Sequence, residues 1–128
     1  MVEAPKSHRV LIVEDEYYLA ADLELALRTE GAEVVGPICT LSDAFFQLAG
    51  SHFDAAVIDI NLQDERAYGL ADELRRQRIP FVFATGYSQE AIPSRFSDVT
   101  RFEKPYDAVG IARHVVQLCA RAASNVVL

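Results

Sequence analysis

Two periodicities alternate along this chain, and their order predicts its fold. Arg9 to Val13 is a continuous apolar, β-branched run, and Ala55 to Asn61 is another that ends on a carboxylate, Asp59. Runs of this kind are strands covered on both faces of a sheet. Between them, Leu19, Leu23, Ala26 and Leu27 fall at helical spacing over residues 17–30, and Gly31 supplies the stop. Glu33 to Pro37 reads as a short strand closed by two breakers. After Thr40, Leu41, Ala44, Phe45, Leu48 and Ala49 form one side of a helix that ends at Gly50.

The second half repeats the pattern. A polar loop from Gln63 to Arg66 leads to a helix with Ala67, Leu70, Ala71 and Leu74 inward; Arg75, Arg76 and Arg78 complement the dipole at its end. Phe81 to Ala84 is a fourth strand, ending at Thr85-Gly86. Pro93 interrupts any helix drawn over residues 88–98, so that segment is expected to be short or irregular. Thr100 to Phe102 reads as a last strand. Asp107 can cap a final helix in which Ile111, Val115, Leu118 and Ala122 form the inward stripe.

Strands alternating with helices require parallel pairing and right-handed crossovers, with helices on both faces. The expectation is an α/β, doubly wound five-stranded parallel sheet of order 2-1-3-4-5. One domain should occupy residues 1–128, without linker, repeat or output domain.

In a parallel sheet all carboxyl ends share one edge, where open α/β sheets present their ligand crevice. Glu14 and Asp15, Asp59, Thr85 and Lys104 therefore gather on one rim. Taken singly, each has a plain explanation. Aspartate is common where a strand becomes a loop, Glu14-Asp15 can start a helix, Thr85 can sit in a turn and Lys104 can be solvated. Their coincidence on one edge is what singles them out. Converging carboxylates repel unless a cation sits among them. An oxygen-only set of few carboxylates, a carbonyl and waters suits Mg²⁺, which leaves room for a phosphoryl group. Lys104 can pair with a phosphoryl oxygen, Thr85 can donate to another, and the Asp59 carboxylate can attack phosphorus to give an acyl phosphate.

Composition narrows the partners. Nineteen acidic against twelve basic residues leave a net charge of −7, which disfavours nucleic acid and anionic membrane surfaces. No apolar run matches a signal peptide core or a membrane span, so a cytoplasmic location is expected. Cys39 and Cys119 match no metal spacing and are expected to be reduced thiols; His8, His52 and His114 form no ligand pattern.

The set Glu14-Asp15, Asp59, Thr85 and Lys104-Pro105 at successive strand ends resembles the receiver domain of two-component response regulators, a flavodoxin-like fold, over roughly Arg9 to Ala122. The resemblance implies a phosphoacceptor, not a classical enzyme, that promotes its own phosphorylation and dephosphorylation. Asp59 would receive a phosphoryl group from a sensor histidine kinase or a histidine phosphotransfer protein. Mg²⁺ would be held by Glu14, Asp15, Asp59 and the backbone carbonyl of Asn61. Thr85 would move toward the phosphoryl group, and the Lys104-Pro105 bond would be cis. A downstream protein partner would read the result, the domain being a monomer or a weak phosphorylation-dependent dimer.

Phe83-Ala84-Thr85-Gly86-Tyr87 further resembles the signature of the FAT GUY receivers, mostly stand-alone domains. Three departures from the general pattern stand out. Gln63 replaces a proline, the loop before Gly69 is about two residues longer than usual by the family pattern, and Arg101 takes the place of the aromatic switch residue, with Phe102 beside it. Tyr87 is a candidate to assume that role or to shield the phosphoryl group. The competing readings are a phosphate sink for a shared kinase, a receiver-shaped binding module that works without phosphorylation, and a small Mg²⁺-dependent hydrolase. The last is disfavoured because so short a chain offers no cap domain.

Overall fold

The computed structural model describes residues 7–86 and 91–124. Strands β1 (Arg9–Val13), β2 (Glu33–Ile38), β3 (Ala55–Asp59), β4 (Phe81–Thr85) and β5 (Arg101–Glu103) form one sheet in the order β2-β1-β3-β4-β5, every pair parallel. Among the described residues, four α-helices connect or follow them: α1 (Tyr17–Thr29), α2 (Leu41–Gly50), α3 (Tyr68–Arg76) and α4 (Ala108–Ser124). The expected order 2-1-3-4-5 is the observed one.

The pleat explains why the strands are apolar throughout. Side chains alternate between faces, and both faces are covered. Leu11, Val13, Ala56, Ile58, Phe81 and Phe83 pack with Ala44 and Leu48 of α2 and with Leu70, Ala71 and Leu74 of α3. Their neighbours Val10, Ile12, Ala55, Val57 and Val82 pack on the other side with Leu23, Ala26 and Leu27 of α1 and with Ile111, Ala112, Val115 and Cys119 of α4. Each large side chain so buried contributes about 1.5–3 kcal/mol. None of the described helices is long and apolar enough to cross a membrane.

Three expectations need correction. The third strand ends at Asp59 rather than Asn61, because the chain turns there into a small antiparallel ribbon that pairs Asn61 with Arg66 and Leu62 with Glu65. The expected polar loop is the turn of that ribbon, with Gln63 and Asp64 at φ of 50° and 65° as a two-residue hairpin turn demands. The inward stripe of the last helix continues through Cys119, while Leu118 is only half-buried and Ala122 is exposed. The short or irregular helix expected around Pro93 is, within the described residues 91–98, a 3₁₀ turn, Ser94–Phe96, that begins directly after Pro93. Phe96 from that turn is fully buried and takes the place of a helix face, meeting Phe83, Phe81 and Tyr68.

Helices α1 and α3 end in the same cap with different residues. Ala32 N–H donates to the Leu27 carbonyl and Gly31 N–H to that of Arg28; in α3, Ile79 N–H donates to Leu74 and Arg78 N–H to Arg75. Both are Schellman motifs, which place one residue in the left-handed region. Gly31 does so at φ 89°, but Arg78 does so at φ 60° with a side chain attached.

Gly36 is required for a different reason. Between Leu11↔Val35 and Val13↔Ile38 the register slips, so that Gly36 and Pro37 bulge opposite Ile12. The bulge carries β2 far enough for Glu14 N–H to donate to the Ile38 carbonyl at 3.0 Å. Gly36 has φ 118°, and a Cβ there would lie 2.5 Å from the Ile12 carbonyl oxygen. Gly36→Ala is expected to destabilise the domain by about 2–4 kcal/mol, since the clash is with backbone that cannot yield. Urea unfolding measures it, and a loss below ~0.5 kcal/mol would contradict the bulge geometry.

Candidate functional site

The carboxyl edge of the sheet is where apolar strands give way to charge. Glu14 and Asp15 follow β1, and Asp59 closes β3, paired in register with Ala84 so that Thr85 lies one residue beyond it. Lys104 follows β5, held by its N–H donating to the Thr85 carbonyl at 2.8 Å. Ligand oxygens of Glu14, Asp15 and Asp59 all lie within 4.8 Å of one another. Asp15 and Asp59 border an open cleft of about 430 Å³ that Glu16, Asn61, Gln63, Asp64, Gly86 and Lys104 also line.

Burial makes this cluster costly. Glu14 is 2% exposed and Asp59 3%. Desolvation disfavours a buried carboxylate, and a second carboxylate alongside adds repulsion. Burial first and the adjoining Asp59 second lift the Glu14 carboxyl from 4.5 to about 8. Lys104 supplies the compensating charge. Its ammonium donates to Asp59 Oδ2 at 2.8 Å, to Glu14 at 3.0 and 3.1 Å, and to Glu16 at 3.0 Å. Burial by itself depresses the ammonium, yet bonds to Asp59, Glu14 and Glu16 outweigh it and hold the proton more firmly than usual.

Backbone donors complete the frame. Asn61 N–H donates to Asp59 Oδ1 at 3.0 Å, and Gln63 N–H to Asp15 Oδ2 at 3.0 Å. The ribbon turn is thereby tied to the acidic pair, and Arg66 holds the Asn61 side-chain oxygen.

Every expected acceptor-site residue within the described chain lies on this edge. Thr85 is buried at the end of β4. The Lys104-Pro105 bond is cis, and so is the Gly36-Pro37 bond. Arg101 is exposed on β5; Phe102, half-buried, faces α4 and meets the His114 ring at 5.6 Å, away from the acidic cleft. Tyr87 lies outside the described residues. Two participants went unnoticed in the sequence. Glu16 is a third carboxylate on Lys104, and the Tyr106 hydroxyl donates to Glu14 Oε1 at 3.4 Å. Burial and the charge of Glu14 hold the Tyr106 proton well above the ordinary phenol range. Adjacency was the available signal, since Glu16 follows the acidic pair and Tyr106 follows Pro105.

A family model described as the response regulator receiver domain matches residues 10–108. The sensory transduction protein LytT of Bacillus cereus is 33% identical over 103 residues, 77% of this chain and 42% of that protein. The transcriptional regulatory protein PdtaR of Mycobacterium tuberculosis is 35% identical over 98 residues, 75% of this chain and 47% of its own. This chain thus spans less than half the length of the curated relatives it matches. Among solved structures, SdrG from Sphingomonas melonis Fr1 is 35% identical with a TM-score of 0.76, over 89% of this chain and 97% of that one.

Because its pKa is raised on folding, Glu14 binds its proton more tightly in the folded state. The associated stability is complete below 4.5 and is lost as pH rises through about 8. A divalent cation entering the cluster must displace that proton. Its affinity is therefore expected to rise by up to about tenfold per pH unit across this window and to level off above it. Calorimetric titration at several pH values checks this, and Glu14→Gln should flatten the profile.

Proposed function

Since the chain belongs to the response regulator receiver domain family, we propose that it is the phosphoacceptor of a two-component relay, with Asp59 receiving the phosphoryl group of a phosphohistidine. What carries the reading is the meeting of Glu14, Asp15 and Asp59 within 4.8 Å, with Lys104 on the Asp59 carboxylate.

Receiver domains bind Mg²⁺ at their acidic site, and the residues here fit it. All donors are oxygens, as a hard ion requires. Burial first and the Asp59 carboxylate second keep the Glu14 pKa raised despite the one lysine, which a cation in the cluster would relieve. Glu14, Asp15, Asp59 and the Asn61 carbonyl would hold the ion, which when bound neutralises charge and keeps a position for a phosphoryl oxygen.

The chain's own residues do the rest. An Asp59 oxygen attacks phosphorus, the P–N bond breaks, and its electron pair returns to the imidazole nitrogen, which takes a proton. Lys104 exchanges part of its pairing with Asp59 for a phosphoryl oxygen, and Thr85 donates to another. Positioning and charge neutralisation account for most of such a transfer. Water attack on the same phosphorus returns Asp59 and releases phosphate.

The partners are a sensor histidine kinase or histidine phosphotransfer protein upstream and a protein partner downstream, in the cytoplasm, with the domain monomeric or weakly dimeric when phosphorylated. Phe83 to Tyr87 supports the stand-alone FAT GUY subgroup. With Arg101 in place of an aromatic, Tyr87 and Phe102, beside the cis Pro105, are the residues proposed to report the phosphorylated state.

Incubation with Mg²⁺ and acetyl phosphate, followed by intact-mass analysis, should show one phosphoryl adduct that requires the metal. Asp59→Asn should abolish it while raising the melting temperature of the metal-free protein, because one buried charge is gone. Lys104→Ala should lower the rate of adduct formation by about 10²-fold or more. No adduct from acetyl phosphate and none from a phosphorylated sensor kinase would transfer the lead to the binding-module reading.

A further inference from the structure

At the opposite end of the sheet, the start of β4 and the residue before β5 border a cavity of about 420 Å³ roofed by the end of α3 and the later turns of α4. This is nearly the volume of the acceptor cleft and falls within the range of small-ligand sites. Phe81 lies four residues before Thr85, so the cavity is about 13 Å from the acceptor edge along the strand. Its floor is apolar, with Ile79, Phe81 and Leu118.

The polar groups on its wall are unequally committed. Arg75 is occupied by Asp98 and by the Arg95 carbonyl. Among the described residues, the Arg78 guanidinium and the Thr100 hydroxyl make no hydrogen bond or ion pair. The Nε2 atom of His114 is shut off from solvent and has no partner. A buried polar atom without a partner carries a desolvation penalty that few native atoms bear.

Arg78 is the second anomaly. It occupies the left-handed position of a Schellman cap, where the equivalent cap of α1 uses Gly31. A side chain at that φ is disfavoured, and an outlier of this kind is a reason to look for function. Placing a cation at the mouth of the cavity is what the side chain achieves, in a protein whose net charge is −7.

We propose that this cavity binds a small organic anion, a carboxylate borne on a compact apolar body. The carboxylate pairs with Arg78, with the Thr100 hydroxyl and the His114 ring within the same wall, and the apolar body covers Phe81 and Leu118. The site is independent of the phosphoacceptor reading.

Sodium phenylacetate is a suitable probe, followed by amide chemical shifts of the full chain, with neutral phenylacetamide and inorganic phosphate as controls. A ligand of this size is expected to bind with a Kd on the order of 1 mM. Saturable shifts should centre on Ile79, Thr100 and His114, and both controls should bind at least about tenfold more weakly. Arg78→Gly should weaken binding about tenfold while the melting temperature holds or rises. Asp59→Asn should bind as the wild type does. Absence of saturable shifts, equal affinity for phenylacetamide or phosphate, unchanged binding by Arg78→Gly, or shifts centred on the acidic cleft would each overturn the proposal.

Discussion

One ammonium group sits at the centre of this molecule's chemistry. Lys104 Nζ is within 3.1 Å of oxygens from Glu14, Asp59 and Glu16, and only 10% of its side chain reaches solvent. Removing one partner from a buried ionic cluster leaves uncompensated charge, which costs far more than the net worth of the pair. The carboxyl edge therefore depends on Lys104 while the cleft holds no other cation. It does so incompletely: burial first and Asp59 second still hold the Glu14 carboxyl up at about 8 despite the lysine. A site balanced in this way is receptive to a second cation.

That balance rests on the parallel sheet. Val10 to Val13 and Ala55 to Ile58 are buried on both faces, so the strands accept no charge along their length and must release it at their ends. Parallel pairing puts those ends on one rim. The bulge at Gly36 brings the edge strand up to Glu14, and the Asn61–Arg66 ribbon ties Asp15 from the other side through the Gln63 amide. Both devices are backbone solutions to a side-chain problem: they hold like charges close without adding positive ones.

The sheet order and the acidic rim were legible because each rests on a repeated signal. Apolar runs recur, each ending in a polar residue, and the topology follows from their alternation with helices. Elements that depend on a single contact were not legible. The ribbon replaces the expected loop because Gln63 and Asp64 take left-handed φ values, which their side chains permit without announcing. Cys119 joins the inward stripe while Ala122, near the end of the last helix, is exposed, a difference that residue spacing alone does not carry. Glu16 and Tyr106 were adjacent to recognised residues, but only the fold shows that they reach Lys104 and Glu14.

The replacement of a helix by the turn at Ser94–Phe96 has a physical consequence for how the two ends of the domain communicate. Phe96 stacks with Tyr68 at 5.9 Å and meets Phe83 at 5.6 Å, while Arg75 covers it from above at 5.1 Å. Phe83 stands two residues before Thr85 on β4, and Arg75 also pairs with Asp98. A packed aromatic cluster thus links the strand that ends at the acceptor edge to a short segment held by one buried side chain and surface ion pairs. Close-packed side chains shift between discrete arrangements rather than deform. An inward movement of Thr85 would be felt first at Phe83 and then at Phe96. The segment after Pro93 has the least regular structure among the described residues that follow β4 and precede β5, and so the least to lose by moving with it.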